Sequence, residues 1–274
     1  MRYETLFDGK KIPVIGLGTW NIGGGMSADY SADEENIRNI QNALHMGYTH
    51  IDTAQMYGAG HTEELVGRAI KPFRRSELFI TTKVWSSDLS RRDVLKGMEA
   101  SLKRLDLHYI DLFLVHWPNP AIPIQETMGA FNELVHTGTV KYVGVSNFSL
   151  TQLLEAQKHS DVPIATNQVE YNVLCREPEQ NGMLEYCQKN GVILTAYEPL
   201  GKGSILHHRT LQEIAKRYNI TLGQLAIYWL LSKSKVITIP KSTNEKHLRE
   251  NIAVPSLKLP AELLQKLETV SQSA

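Results

Sequence analysis

Excess charge of either sign is missing from this chain: 29 Lys and Arg face 29 Asp and Glu among its 274 residues. A nucleic-acid-binding face usually appears as a basic surplus, and a disordered tail as a run of like charge; neither is found. Cysteine is scarce as well. Cys175 and Cys187 are too few for a disulfide scaffold or a four-cysteine zinc site. The N-terminal stretch lacks an apolar signal core, and the apolar run 225–231 is too short to cross a bilayer. These shortages lead to the expectation of a cytoplasmic, reduced protein with no nucleic-acid or membrane partner. A Gly-rich dinucleotide fingerprint is also missing. Gly16-Leu-Gly18-Thr-Trp-Asn21 and Gly58-Ala-Gly60-His-Thr-Glu63 each lack the third glycine.

What is present is a regular alternation of short apolar runs and longer stretches of helical period. Strand-like runs fall at 14–19, 50–54, 78–84, 110–116, 142–147, 165–171, 192–197 and 236–240. Between them lie candidate helices near 34–47, 62–70, 91–105, 124–137, 150–159, 179–190, 209–233 and 244–252, with a last one after Pro260. In 91–105, Val94, Leu95, Met98, Leu102 and Leu105 recur at i, i+3, i+4 spacing, with Arg and Lys opposite. Segment 209–233 reads as two helices, because Asn219-Ile-Thr221 supplies a new N-cap. Gly47, Gly138 and Gly191 mark left-handed helix ends, and Asp8-Gly9 marks a hairpin turn. Eight βα units predict a (β/α)8 TIM barrel with an N-terminal β-hairpin and a C-terminal helix, one catalytic domain over 1–274. A doubly wound sheet is the rival, and the absent fingerprint argues against it.

Barrel enzymes assemble their sites from the C-terminal ends of several strands. Here those ends carry Asp52 followed by Tyr57, Lys83 and Trp85, His116 and Trp117, Ser146 and Asn147, Gln168, Tyr197 and Glu198, and Lys241 with Ser242. Any one of them alone could be a cap, a solvated charge or a packed ring; their convergence on one mouth is the signal. A free phenol is a weak acid near neutrality, and a neighbouring ammonium lowers its pKa. Lys83 could supply that charge to Tyr57, Asp52 could hold Lys83, and a neutral His116 could donate to the same substrate oxygen. Such a set stabilises an alkoxide developing on a carbonyl. It contains no activated serine or cysteine, and so requires an external hydride.

These residues and their order resemble the aldo-keto reductases. The resemblance runs from Gly16-Leu-Gly-Thr-Trp20 through Gly47-Tyr-Thr-His-Ile-Asp52, Met56-Tyr57-Gly and Asp111-Leu-Phe-Leu-Val-His116-Trp-Pro118. It continues through Gly144-Val-Ser-Asn-Phe148, Gln168-Val-Glu-Tyr171, Ala196-Tyr-Glu-Pro-Leu-Gly201 and Ile239-Pro-Lys-Ser242 to Glu250-Asn251-Ile252. It implies a barrel that binds NADP(H) without a Rossmann domain and reduces small carbonyl compounds, usually as a monomer. By resemblance, Tyr57 is the proton donor, Lys83 and Asp52 tune it, and His116 orients the carbonyl. Ser146, Asn147 and Gln168 correspond to contacts of the nicotinamide carboxamide, and Tyr197 to the ring stacked on it. Thr19, Trp20 and Pro199 correspond to further cofactor contacts, and Leu200 with its neighbours to the loop that covers the pyrophosphate. Lys241, Ser242, Thr243 and His247 correspond to the 2′-phosphate site, and Glu250 and Asn251 to the neighbourhood of adenine. Trp20, Trp85 and Trp117 would line an apolar substrate pocket.

Three departures qualify the resemblance. His247 stands where the family often has Arg; histidine is largely neutral above its pKa of about 6.5. NADP(H) preference is therefore expected to rest on Lys241, with NAD(H) also usable; Arg249 lies off the register. Glu198 replaces a frequent serine, and a carboxylate near a pyrophosphate suggests a partner in Lys202. The loop after the seventh strand and the C-terminal tail are short, while 21–32 forms a longer first βα loop whose Gly23-Gly24-Gly25 suggests mobility. An open pocket for varied aldehydes follows. Two alternatives compete with this reading. A metal-dependent barrel hydrolase on His50, Asp52, His61 and His116 lacks a His-x-His pair and a late-strand aspartate, so no metal is expected. A non-enzymatic binder would not need the full Asp52, Tyr57, Lys83 and His116 set.

Overall fold

The computed structural model describes residues 2–270; Met1 and 271–274, the ends of the expected domain, lie outside the described residues. The strands are β1 Tyr3–Thr5, β2 Lys11–Pro13, β3 Leu17–Gly18, β4 His50–Asp52, β5 Phe79–Val84, β6 Ile110–Val115, β7 Val140–Ser146, β8 Thr166–Glu170, β9 Ile193–Tyr197 and β10 Val236–Thr238. The helices are α1 Asp33–His45, α2 His61–Ile70, α3 Arg91–Leu105, α4 Ile124–His136, α5 Leu150–Lys158, α6 Glu177–Gln180, α7 Met183–Asn190, α8 Ser204–His207, α9 Arg209–Arg217, α10 Leu222–Leu231, α11 Glu245–Ala253 and α12 Ala261–Glu268.

Strands β3 to β10 pair in parallel and in sequence order, forming one eight-stranded sheet. The sheet closes on itself. Ile15 bridges Thr238, Thr238 N donates to Val14 O at 2.9 Å, and Gly16 N donates to Thr238 O at 2.9 Å. The fold is a (β/α)8 barrel, as the alternation of elements implies. β4, β5 and β6 are buried along their whole length, because a barrel strand faces packed side chains inside and helices outside.

The first barrel strand is shorter than 14–19, being regular only over β3 and joined to the last strand by a single bridge. Glycine explains how that seam fits. A Cβ on Gly18 would stand 2.5 Å from Ile239 O, and one on Gly16 would stand 2.7 Å from His50 Nδ1. Gly16 thus leaves room for His50 of β4, and Gly18 for the backbone of the last strand at the closing seam.

The hairpin of β1 and β2 plugs the N-terminal end of the barrel. Tyr142 OH donates to Asp8 Oδ2 at 2.5 Å, and Phe7 meets the Tyr142 ring edge-on at 5.7 Å. Helix boundaries follow their caps. Ser90 accepts from Asp93 N to start α3, and Asp106 ends it in the left-handed region. Thr221 and Gln224 form a reciprocal capping box that starts α10, which separates α9 from α10 as the sequence suggests. The expected helix 179–190 is instead two, α6 and α7. Gly182 sits between them at φ 79°, and Asn181 Oδ1 caps Met183 N at 3.0 Å.

Candidate active site

The C-terminal ends of the strands surround a cavity of about 420 Å3. Of the expected residues, Thr19, Trp20, Asp52, Tyr57, Trp85, His116, Trp117, Ser146, Asn147, Gln168, Tyr197, Pro199 and Lys241 line it. Lys83 lies fully buried behind this wall. Leu200, Ser242, Thr243, His247, Glu250 and Asn251 are not among the lining residues; the last five lie on α11 or the segment leading into it. Met56, Glu170 and Ile239 line the cavity without having been singled out for it. Glu170 could have been found, because it lies two residues beyond Gln168 and strand alternation puts both on one face.

The backbone fixes the catalytic candidates. β4 delivers Asp52, and the chain then runs on β5 through Thr53 N to Thr81 O (2.9 Å) and Gln55 N to Lys83 O (3.1 Å). A tight turn follows, with Gly58 at φ 56° and its Cα so close that a Cβ would stand 2.6 Å from Gly23 O. This turn brings Tyr57 back over the end of β5. Lys83 Nζ then donates to Asp52 Oδ1 at 2.5 Å, Thr53 O at 2.9 Å and Tyr57 OH at 3.2 Å. The other Asp52 oxygen accepts from Gln168 Nε2 at 2.8 Å. All three ammonium donors are spent, and the phenol oxygen is an acceptor in that network.

Electrostatics follow from burial. The pKa of Lys83 is raised: burial opposes the ammonium, but Asp52 and Tyr57 outweigh it. The Tyr57 pKa is also raised, chiefly by burial, with Lys83 opposing and Asp52 adding. This reverses the expectation that the ammonium would bring the phenol toward neutrality. The phenolate would be desolvated, and the same ammonium is already held by Asp52. His116 is pushed down to about 2 by burial and by Lys83, so its imidazole is neutral as expected. Its ring meets Tyr57 edge-on at 5.7 Å and Trp85 at 5.1 Å, while Trp20 meets Tyr57 at 4.9 Å.

The wall beyond Tyr57 is internally hydrogen-bonded. Tyr197 OH donates to Asn147 Oδ1 at 2.8 Å, and Asn147 Nδ2 donates to His116 O at 3.0 Å. Ser146 Oγ donates to Gln168 O at 2.9 Å. Glu198 does pair with Lys202, at 3.4 Å. At the far end, Lys241 forms no ion pair among the described residues. His247 is exposed in the first turn of α11, and Arg249 is paired with Glu245 at 2.6 Å.

One expectation and one rejected alternative can be set against the structure. The glycines of the first βα loop provide close packing, not slack. Gly24 is at φ 109° with Ser27 O at 2.0 Å from where a Cβ would be, and Gly58 N donates to Gly25 O at 2.7 Å. The four alternative metal ligands do not converge: His61 lies between Asp33 and Glu64, at 2.8 and 2.9 Å, and His50 Nε2 meets Thr81 Oγ1 at 3.1 Å. Among the described residues no three His, Cys, Asp or Glu side chains form a metal-holding group.

A parallel barrel with a buried Lys–Asp pair touching a phenol at its mouth sets a proton donor beside a fixed ammonium, an arrangement able to stabilise an alkoxide developing on a bound carbonyl. The Aldo/keto reductase family model matches residues 14–272. Glyoxal reductase of Bacillus subtilis is 34% identical over 269 residues, covering 97% of this chain and 92% of that protein. The thermostable aldo-keto reductase Tm1743, solved with the inhibitor epalrestat, superposes with a TM-score of 0.94 at 50% identity, covering 98% of this chain and 99% of that one. An aldo/keto reductase from Klebsiella pneumoniae, solved with NADP and acetate, gives 0.89 at 30% identity over 97% and 94%. The chain belongs to the aldo/keto reductase family and is an oxidoreductase.

Proposed function

We propose that the protein reduces aldehydes and some ketones to alcohols, reversibly, using NADP(H) in preference to NAD(H). The observation that carries this reading is the Lys83 network. With the ammonium donating to Asp52, Thr53 and Tyr57, the phenol proton has no partner among the described residues and belongs to a group lining the cavity. The residues also suit a dinucleotide. The Gln168 side-chain carbonyl oxygen is unpartnered among the described residues, the Tyr197 ring lines the wall, and Lys241 stands without a counter-ion before the N-terminus of α11. NADP bound to the Klebsiella relative is consistent with that use.

When bound, NADPH would supply the hydride for the carbonyl carbon. Tyr57 donates the proton to the carbonyl oxygen, and Lys83 then faces the resulting phenolate at hydrogen-bond distance. Neutral His116 donates to the same oxygen without competing as an acid. Asp52, held by Gln168, keeps Lys83 charged and in place. Trp20, Trp85 and Trp117 with Met56 give the substrate an apolar surface, suited to varied and aryl aldehydes. We take the chain to act as a single catalytic domain and a cytoplasmic monomer, which size-exclusion chromatography with light scattering and fractionation would check. Loss of NADPH absorbance with 4-nitrobenzaldehyde tests the activity. Tyr57→Phe should lose kcat by about 100-fold or more; full kcat in that variant would remove the acid assignment.

A further inference from the structure

The two lysines that line the cavity differ in their surroundings. Lys241 has no ion pair among the described residues, whereas Lys202 Nζ stands 3.4 Å from Glu198 Oε2. This i, i+4 pair is not on a helix. Glu198, Gly201, Lys202 and Gly203 all have positive φ, at 51°, 54°, 53° and 93°, so the chain curls back and brings carboxylate and ammonium together. Left-handed backbone is unfavourable for Glu and Lys, and the turn is held by Gly201 N and Asn172 Nδ2, which donate to Glu198 O at 2.9 and 3.2 Å.

The two ends of the pair are unequal. The Glu198 side chain is 31% exposed and its backbone is pinned; that of Lys202 is 74% exposed. Burial opposes ionisation of Glu198, Lys202 favours it, and a second carboxylate on the same wall, Glu170, opposes it. The wall therefore presents a fixed anion carrying a movable cation. An incoming polyanion would draw the lysine but must settle near the carboxylate.

We propose that Glu198 sets cofactor affinity by holding Lys202 in place of the dinucleotide diphosphate, so that binding takes the lysine from the carboxylate. The proposal rests on the dinucleotide reading above. It makes Glu198 a weakening element that favours release.

The test is binding of NADPH without substrate, by calorimetry, to wild type, Glu198→Gln, Lys202→Met and the double variant. Glu198→Gln is expected to tighten NADPH about three- to tenfold, a range set by the exposure of Lys202. Lys202→Met should weaken binding more in the Glu198→Gln background than in wild type, because only there is the lysine free beforehand. Adenosine 2′-monophosphate, which lacks the diphosphate, should bind all four proteins alike. Unchanged NADPH affinity in Glu198→Gln, additive effects in the double variant, or equal tightening of the monophosphate would each overturn the proposal. Failure of the wild type to bind NADPH would instead sink the dinucleotide reading itself. Retained circular dichroism and melting temperature in Glu198→Gln exclude misfolding as the source of a null result.

Discussion

Lys83→Met removes the ammonium from the most buried ion pair of the site, in which the Lys83 and Asp52 side chains are 0% and 2% exposed and 2.5 Å apart. At that distance the gross attraction is about 7 kcal/mol for an effective dielectric of 20. Desolvation of both ions offsets much of it, and breaking such a pair from one side typically costs about 3–5 kcal/mol. The Gln168 bond to Asp52 survives, which points to the lower end, about 3 kcal/mol. The same substitution strips Tyr57 OH of its cationic partner, so kcat should fall by roughly 100-fold or more. Adding Asp52→Asn removes the stranded carboxylate. The double variant should therefore recover at least half of the lost stability but none of the kcat. Urea unfolding and single-turnover reduction of 4-nitrobenzaldehyde measure the two quantities separately. A stability loss below about 1 kcal/mol in the single variant, or a double variant no more stable than the single, would refute the argument from buried charge.

The buried histidines set an acid limit on stability. Burial holds His50 at about 4 and His116 at about 2, so below pH ~6.5 the unfolded chain binds more protons than the folded one. Stability should fall as pH drops through about 6.5, each histidine contributing a slope of up to about 1.4 kcal/mol per pH unit. Urea titrations at pH 7 and 5 should show a shallower fall in His116→Gln than in wild type. Gly24→Ala forces a Cβ to 2.0 Å from Ser27 O at φ 109° and should cost more than about 2 kcal/mol, measured by the same unfolding assay. His247→Arg places a permanent charge in the first turn of α11 and should lower KM for NADPH about tenfold while leaving NADH unchanged; an equal change for both would remove His247 from the 2′-phosphate site.

Period and punctuation carry the fold. The alternation of apolar runs with helical stretches reports burial directly, and Thr221 with Gln224 writes the break between α9 and α10 as a local hydrogen-bond pattern. Elements whose boundaries depend on distant neighbours were less legible. The first barrel strand meets the strand at the opposite end of the chain, and Gly16 and Gly18 make sense only once His50 and Ile239 stand against them. The split of α6 from α7 turns on Gly182 and Asn181, which inside an otherwise helical period look like tolerated interruptions.

The sequence by itself determined the barrel, its eight strand ends and the polar residues on them, because strand period and chain order decide which side chains share a mouth. It also matched those residues to a reductase family. Tertiary structure alone decided the electrostatics. A phenol beside an ammonium suggests a lowered pKa, yet burial and the competing Asp52 raise it. Likewise, Gly23-Gly24-Gly25 reads as a flexible tract until the Leu65 side chain, the Ser27 backbone and the Asn21 side chain occupy the space that side chains there would need. Desolvation and close approach are sums over neighbours in space, and the chain order does not contain them.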